Sequence, residues 1–404
     1  MLHYLKKSVF KLMRHDLRVV YIDLCLRLSL GVYLFTIITV KVDTHTFSLY
    51  AFSVLISSLI VQIINGSTEV LINNELRSNK NFFNFFLYKI TLIQLLFLPF
   101  FFIIEFNIYL MVYFLISIFV VVNEHIELKL RYFYNYSTYK SKIILQLVFF
   151  AFKYFSAKKG DIFNVILYSL IESGFLLIVS YFSCKKYFNG SNEKIKIFIV
   201  NKKSTLLKYV TSSLLIFLFF KLDQIYIYFK VNSHVFVSYF IASRFNEILN
   251  SMVAIWTRYS IPTLFLQDDI NVFRKYIYVN ITIHIVFSIL FFIPVFFYVA
   301  YLNPIYSSII YIYMILAISG IFLVFGQVRG IYFVKKNFIS PDIINAIVGI
   351  LTFLVSIWLL QNLIDGFYII PISYLIGFMV SGFLTTFFYK LGRKFMSKLI
   401  FYRR

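Results

Sequence analysis

The string KVDTHTFSLY at residues 41–50 returns in altered form as KVNSHVFVSY at residues 230–239, nearly half of a 404-residue chain later. Five of the ten positions are identical (Lys, Val, His, Phe and Tyr), and Asp/Asn and Thr/Ser exchanges make two more similar. Each copy is polar at its start and follows a long apolar run. We therefore predict an internal duplication with a turn at the same place in each half.

The composition is typical of an integral membrane protein. Apolar residues make up 61% of the chain and charged residues 14%, whereas soluble proteins are about half apolar and about a quarter charged. Apolar runs of about 20 residues, long enough to cross a bilayer core of about 30 Å, recur from end to end. The two cysteines, Cys25 and Cys184, predict neither a disulfide framework nor a metal site.

Twelve apolar spans lie between polar breaks, and we predict that each is a membrane helix. They are residues 18–40, 47–70, 82–104, 107–128, 141–157, 161–183, 206–229, 235–257, 275–299, 306–333, 341–361 and 368–389. The fifth is short and carries Lys153, so a re-entrant or interfacial segment is an alternative there.

The charge pattern supports this count. The net charge of +22 is interpreted as loop charge rather than as a nucleic-acid surface, because cytoplasmic loops of membrane proteins are enriched in Lys and Arg. With these spans, one face collects 29 of the 39 basic residues, Lys142 among them. The other face holds five: Lys41, Lys153, Lys158, Lys159 and Lys230. The asymmetry predicts that both termini are cytoplasmic.

The longest break, residues 185–204, is on the basic face and divides the chain into two halves. We predict an N-terminal lobe, residues 1–184 with helices 1–6, and a C-terminal lobe, residues 205–404 with helices 7–12. Because six helices return the chain to the same side, the halves would be parallel repeats about an axis along the membrane normal, as in some transporters.

Ionisable side chains inside the spans are the candidates for function, because each costs about 2.5 to 3.5 kcal/mol at mid-helix. They are Asp23, Arg27, Glu69, Lys89, Glu172, Lys221, Asp223, Arg244, Glu247 and Arg329. Most of them lie on helices 1, 2, 7 and 8, which predicts an aqueous cavity between the lobes. The alternative is local pairing of Asp23 with Arg27 and of Arg244 with Glu247.

Residues 222–249, LDQIYIYFKVNSHVFVSYFIASRFNEIL, carry a family resemblance. They resemble the seventh and eighth helices of bacterial lipid-linked oligosaccharide flippases of the polysaccharide transporter (Wzx) type, in the multidrug/oligosaccharidyl-lipid/polysaccharide (MOP) exporter superfamily. The matching residues are Asp223, Tyr239, Ala242, Arg244 and Glu247. The stretch NGSTEVLINNELR at 65–77 echoes the end of the second helix. Leu49 and Ser238 replace a glycine that the family commonly carries before the turn tyrosine.

The resemblance implies an all-α polytopic membrane protein with about twelve transmembrane helices, in two pseudo-symmetric six-helix lobes around a central cavity. It implies a transporter, not an enzyme, in the bacterial cytoplasmic (inner) membrane. The cargo would be an undecaprenyl-pyrophosphate-linked oligosaccharide repeat unit, moved to the outer leaflet for O-antigen or capsular polysaccharide. The lipid bilayer, a polysaccharide polymerase and chain-length machinery would be partners, and nucleic acid would not. No cofactor is expected beyond a coupling ion, H⁺ or Na⁺.

The cargo suggests a role for each intramembrane charge. A pyrophosphate needs cationic groups part-way across the membrane, and the planar fork of Arg suits phosphate oxygens best. The expected pyrophosphate and sugar ligands are Arg27, Arg244, Lys221 and Arg329. The expected ion-coupling residues are Asp223, Glu247 and Glu172. Asp23 and Glu69 are assigned to helix pairing or gating, and no catalytic or metal-binding residue is predicted.

Two other functions remain open from the sequence. A membrane polysaccharide polymerase, or another membrane glycan enzyme, would present a large basic outer loop, but the predicted outer loops are short. A MATE-like multidrug or cation antiporter would share the fold. The cations Arg27, Lys221 and Arg244 disfavour that second function, because they would repel cationic cargo.

Overall fold

The computed structural model describes residues 15–75, 82–103, 107–132, 137–184, 195–266, 270–335, 340–364 and 366–401. These ranges form thirteen α-helices: α1 (His15–Lys41), α2 (Thr44–Glu75), α3 (Phe82–Ile103), α4 (Ile108–Tyr132), α5 (Ser137–Lys158), α6 (Ile162–Cys184), α7 (Ile195–Lys230), α8 (Ser233–Leu266), α9 (Ile270–Phe297), α10 (Ile309–Lys335), α11 (Ser340–Leu360), α12 (Gly366–Phe378) and α13 (Lys390–Phe401). Some helical residues are described by their backbone alone. The side chain of Glu69 is one of these and lies outside the described residues.

The all-helical prediction is confirmed, and each predicted span falls on one of α1–α12. Within the described ranges, eight segments are long and apolar enough to cross a membrane: Thr44–Asn65, Ile108–Glu127, Ile162–Ser183, Val210–Lys230, Asn271–Leu302, Ile309–Phe333, Ile343–Leu360 and Phe367–Phe388. Shorter apolar segments, Ser29–Lys41 and Lys89–Pro99, lie in α1 and α3. That α5 crosses the membrane stays a prediction.

The two copies of the repeated string form the same capped turn. Two residues separate α1 from α2, and the backbone N–H of Thr46 donates to Asp43 Oδ2 at 2.8 Å. Two residues also separate α7 from α8, and the N–H of Val235 donates to Asn232 Oδ1 at 2.9 Å. In each copy the Asp or Asn is therefore the N-cap of the following helix, where it satisfies an amide that the helix cannot. The hydrogen bonds from Thr46, its backbone N–H first, hold the pKa of Asp43 below its ordinary value.

The chain divides into two compact units, Met1–Leu214 and Leu215–Arg404, and the division falls inside α7. Helix neighbours correspond between the units. In the first unit α2 packs on α4, α4 on α6, α5 on α6 and α1 on α5. In the second unit α8 packs on α10, α10 on α12 and α11 on α12. Tyr226 of α7 meets Phe353 of α11, which matches the contact of α1 with α5. This correspondence agrees with the predicted duplication, while the lobe boundaries at 184 and 205 stay a prediction.

The last predicted span, residues 368–389, matches the apolar segment Phe367–Phe388, but it is not α-helical throughout. The α-helical hydrogen bonding ends at Phe378, and the chain continues as a π-helix over Met379–Phe383 and a 3₁₀-helix over Leu384–Phe388. The guanidinium of Arg329 in α10 accounts for the change. Its NH1 donates to the carbonyl oxygens of Ser381 and Gly382, both at 3.0 Å. Carbonyls that accept from an outside donor no longer need regular helical partners.

Helix α13 is a further element that the apolar runs did not predict. Its residues Phe395 and Met396 are buried against Phe273 of α9 and Val328 of α10. Arg393 lies on its exposed face. The helix is therefore amphipathic, with a basic face outside and an apolar face on the second unit.

Candidate functional site

The first unit contains a buried charge network that joins α1, α4 and α5. Arg27 NH2 lies 2.9 Å from Asp23 Oδ2, its neighbour one turn away, and 3.9 Å from Glu127 Oε1. Lys142 Nζ lies 2.5 Å from the same Glu127 oxygen. The local pair that the spacing allowed is thus present, and it is extended by two residues from other helices.

Arg27 is the exposed member of this network. Its side chain is 37% exposed, compared with 6% for Asp23, 5% for Glu127 and 0% for Lys142. The two acids therefore hold the guanidinium at the edge of the packed unit, and Lys142 contacts Glu127 rather than Arg27. Asp23 Oδ1 is buried and has no hydrogen-bond partner.

Neutral polar groups complete the network. Asn123 Nδ2 donates to Glu127 Oε1 at 3.0 Å, and Asn123 Oδ1 accepts from Lys142 Nζ at 3.3 Å. Ser180 Oγ of α6 donates to the same Asn123 oxygen at 2.5 Å. Four helices are joined through these contacts, so that the charges have fixed positions.

Sequence reasoning missed Glu127 and misplaced Lys142. The charge pattern counted Lys142 as loop charge, but it is fully buried inside α5. A signal was available for Glu127, because Asn123 and Glu127 stand four residues apart and share one face of α4. Lys142 gave no signal of its own, because its partner lies on another helix.

Two smaller networks neutralise other charges of the first unit. Lys89 Nζ of α3 donates to Asn65 Oδ1 of α2 at 2.9 Å, and the Asn65 amide donates in turn to Glu124 of α4. Lys153 of α5 forms an ion pair with Glu172 of α6. The lysine that made the fifth span weak therefore has a partner inside the unit. The expected role of Glu172 in ion coupling stays a prediction.

In the second unit, three groups converge on Glu247 of α8. Lys221 of α7 forms an ion pair with Glu247 Oε1, and Gln224 Nε2 lies 3.4 Å from the same oxygen. Arg244 NH1 donates to Glu247 Oε2 at 2.8 Å. The local pair of Arg244 with Glu247 is thus present, and Lys221 finds its partner across the helix interface.

The neighbouring Asp223 has a different partner. The hydroxyl of Tyr239 in α8 donates to Asp223 Oδ2, whereas Asp223 Oδ1 is buried without a partner. Gln224 Oε1 and Arg244 NH2 are also buried without partners. The Arg244 guanidinium lies 4.6 Å from the centre of the Phe240 ring, which fixes its plane. The interface of α7 and α8 therefore contains two acceptor oxygens and one donor nitrogen that make no hydrogen bond.

Arg329 lies apart from these clusters. Besides the two carbonyls of the π-helical segment, its NH1 lies within 3.2 Å of the hydroxyls of Thr385 and Thr386. Its side chain is buried and holds the irregular end of the α12 region. Its expected role as a substrate ligand stays a prediction.

The structure thus brings Asp23 together with Arg27, and Lys221 and Asp223 together with the Arg244–Glu247 pair at the interface of α7 and α8. It does not bring Glu172 or Arg329 to either cluster. Among the described residues, no group of three or more His, Cys, Asp or Glu side chains is placed to hold a metal ion.

Comparison with known proteins supports the fold. A structure described as the inward-facing conformation of a multidrug resistance MATE family transporter of the MOP superfamily matches with a TM-score of 0.60 and 12% identity, over 92% of this chain and 95% of that one. A crystal structure of MATE in complex with MaL6 matches with a TM-score of 0.49 and 14% identity, over 95% and 97%. No protein-family model matches the chain, and no curated protein matches it. The first of these two structural matches shows that the chain has the fold of the MATE transporters of the MOP superfamily.

Proposed function

We infer that the chain is a flippase, which moves undecaprenyl-pyrophosphate-linked oligosaccharide repeat units from the cytoplasmic to the outer leaflet by alternating access. The product would serve O-antigen or capsular polysaccharide synthesis, in the bacterial cytoplasmic membrane with both termini inside. The fold supports transport in general, because it is found in a transporter of the MOP superfamily. The cargo is argued from the charges.

The proposal rests on the hydrogen bonding and exposure of two arginine side chains, Arg27 and Arg244. Arg27 is held by buried acids and still has 37% of its side chain exposed, and Arg244 keeps NH2 without a partner while NH1 is fixed by Glu247. An arginine whose fork is oriented in advance can bind phosphate oxygens with little further loss of side-chain entropy. One such group stands in each unit.

The acids beside the arginines fit an anionic cargo as well. Glu247 pairs with both Lys221 and Arg244, while Asp23 and Glu127 pair with Arg27 and Lys142. Cations that are paired with carboxylates before the cargo binds avoid the cost of an isolated buried charge. A pyrophosphate would then compete with these carboxylates for the guanidinium groups, so binding is reversible, as transport requires.

Short outer turns support transport over polymerisation. Two residues separate α1 from α2 and α7 from α8, and three separate α5 from α6. A glycan polymerase that works on the outer face would need a larger platform there. A polysaccharide polymerase and the chain-length machinery would instead act on the flipped product as partners.

A multidrug or cation exporter is the second candidate, and Asp223 favours it. Its Oδ1 is buried without a partner, and an acid of this kind suits a cation or a proton. The same interface, however, holds Lys221 and Arg244, which would repel a cationic drug. We therefore assign Asp223 and Glu247 to ion coupling rather than to cargo.

The test is gene deletion in the native cell followed by complementation with variants. Deletion should trap lipid-linked repeat units on the cytoplasmic side, and the double variant Arg27→Ala/Arg244→Ala should leave at least a tenfold excess trapped. The control is Arg274→Ala, which removes an arginine at the start of α9 and should restore export. Full export by the double variant, or unchanged surface polysaccharide after deletion, would overturn the proposal.

A further inference from the structure

Helix α13 presents a basic stripe on the face that does not pack on the second unit. Lys390, Arg393 and Lys394 are all exposed, and residues three and four apart share one face of a helix. Ser397, one turn further along, is exposed as well. The three cations therefore face away from the protein along one side of the helix.

No acidic side chain compensates this stripe. The sequence from residue 366 to residue 404 contains six Lys and Arg residues and no Asp or Glu. The cations Arg27 and Lys221, within the two units, each have a carboxylate partner. In the part of the chain that the structure describes, the three cations of the stripe form no ion pair. The stripe therefore keeps its positive charge for a partner outside the protein.

The opposite face of α13 fixes the helix to the second unit. The Phe395 side chain is 0% exposed and packs with Phe273 of α9, and its ring centre lies 4.6 Å from that of Tyr332 in α10. Gly392 lies so close to the preceding segment that a Cβ atom there would be 2.1 Å from the carbonyl oxygen of Thr386. The basic stripe is therefore carried by a helix that is packed on the protein along its length.

The contacts of α13 lie where three apolar segments end. Phe273 stands near the start of the segment Asn271–Leu302, and Tyr332 stands near the end of the segment Ile309–Phe333. The third segment, Phe367–Phe388, is separated from α13 by a single residue. When these segments cross a bilayer, α13 therefore lies at the level of the lipid headgroups.

The chain changes direction between the last apolar segment and α13. Phe388 is 77% exposed, as expected of an aromatic side chain that faces lipid. Tyr389 has an extended backbone, with φ −94° and ψ 134°, so that α13 does not continue the axis of the preceding helix. Lys390 follows directly. An apolar ring and a cation thus stand close together, as they do where side chains pass from the acyl region to the headgroups.

We propose that the basic stripe of α13, formed by Lys390, Arg393 and Lys394, is a binding surface for anionic phospholipid headgroups. The phosphodiester oxygens accept hydrogen bonds from the ammonium and guanidinium groups. Each Lys or Arg at an anionic membrane surface strengthens the attraction about fivefold, and three together about a hundredfold. None of the three belongs to the charge networks to which cargo binding is assigned, so this inference does not depend on the proposed function.

A membrane surface fits this stripe better than an acidic protein does. Residues 390–394 extend about 6 Å along the helix axis, whereas a specific protein–protein interface buries about 800 Å² on each partner. A headgroup layer, in contrast, lies beside α13 whenever the three neighbouring apolar segments are in the bilayer. The same layer would receive several lipids in turn, so that no precise surface complementarity is needed.

The test is native mass spectrometry of the purified protein, released from nanodiscs that contain equal amounts of phosphatidylglycerol and phosphatidylcholine. The wild type should retain phosphatidylglycerol in at least tenfold excess, and Lys390→Gln/Arg393→Gln/Lys394→Gln should lower that excess at least fivefold. The matched control, Lys41→Gln/Lys158→Gln/Lys159→Gln, removes the same charge from exposed positions on the predicted outer face and should keep the excess. Equal retention of the two lipids by the wild type would overturn the proposal and favour an acidic protein as the partner. An equal loss in the control would overturn it too.

Two further measurements do not depend on the folding of the glutamine variant. The charge-preserving variant Lys390→Arg/Arg393→Lys/Lys394→Arg should retain phosphatidylglycerol within twofold of the wild type, because the attraction depends on charge. Raising ammonium acetate from about 0.05 M to about 0.5 M shortens the Debye length about threefold and should lower the wild-type excess at least fivefold. An excess that does not respond to salt would contradict an electrostatic surface at α13.

Discussion

Replacement of Glu127 by Gln should strongly destabilise the first unit. Lys142 is 0% exposed and lies 2.5 Å from Glu127 Oε1, so that the substitution leaves a buried ammonium without its carboxylate. Breaking a buried ion pair from one side costs about 3 to 5 kcal/mol. Lys142→Met should cost less, because Glu127 keeps the Arg27 guanidinium 3.9 Å away.

The double variant Glu127→Gln/Lys142→Met removes both charges and should be more stable than Glu127→Gln alone. The coupling free energy of the cycle is then about 2 to 3 kcal/mol. The pair of Lys153 with Glu172 is the matched control, because its side chains are 14% and 13% exposed. Removal of one partner from a less buried pair leaves a smaller penalty, so its coupling should be smaller than that of Glu127 with Lys142.

The assay is equilibrium unfolding in mixed detergent micelles, followed by far-ultraviolet circular dichroism. All four members of each cycle are measured at one detergent composition and one pH. Equal coupling in the two pairs, or a value below about 0.5 kcal/mol for Glu127 with Lys142, would refute the reasoning that burial makes the first network strong.

Three further predictions concern the turns, Gly320 of α10 beside the His284 ring of α9, and the irregular end of α12. Asp43→Ala and Asn232→Ala should each lower the free energy of unfolding by about 1 kcal/mol, because each removes an N-cap. The stabilisation by the Asp43 carboxylate is present above its ordinary pKa of 3.8 and is lost as the pH falls through its lowered pKa in the folded protein. The stabilisation by Asn232 should not change with pH. Gly320→Ala should lower the unfolding temperature through overlap with the His284 ring, while Gly31→Ala, whose Cβ would meet nothing within 4 Å, should not. Arg329→Lys should destabilise by about 2 kcal/mol, because the shorter lysine side chain does not bring a donor to the position of NH1, which reaches the carbonyls of the π-helical segment. An unchanged unfolding curve would remove that role.

Much of the fold was predictable because membrane helices are encoded locally. The long apolar runs, separated by breaks that are alternately rich and poor in basic residues, predicted the positions of α1–α12. The repeated string predicted corresponding turns at Asp43 and Asn232. The break at Phe378 was not predictable in this way, because it depends on Arg329, which lies on another helix about 50 residues earlier. Helix α13 was missed because the search was for apolar runs, and an amphipathic helix has none.

The candidate site was predictable only where partners share a helix. The Asp23–Arg27 and Arg244–Glu247 pairs follow from their spacing, since residues three or four apart meet on a helix face. The partnership of Lys221 with Glu247 depends on how α7 packs against α8, and periodicity carries no information about that contact. The contact of the His284 ring with Gly320 was not predictable for the same reason, because it depends on how α9 packs against α10.

The most direct test of the central claim is transport by the purified protein in proteoliposomes. The vesicles contain a fluorescent short-chain prenyl-pyrophosphate-linked oligosaccharide, and its appearance in the opposite leaflet is measured against the matching prenyl monophosphate and a cationic dye. The proposed function predicts that the pyrophosphate-linked sugar crosses and that Arg27→Ala/Arg244→Ala slows it at least tenfold, with no transport of the dye. Movement of the dye without movement of the pyrophosphate-linked sugar would contradict it.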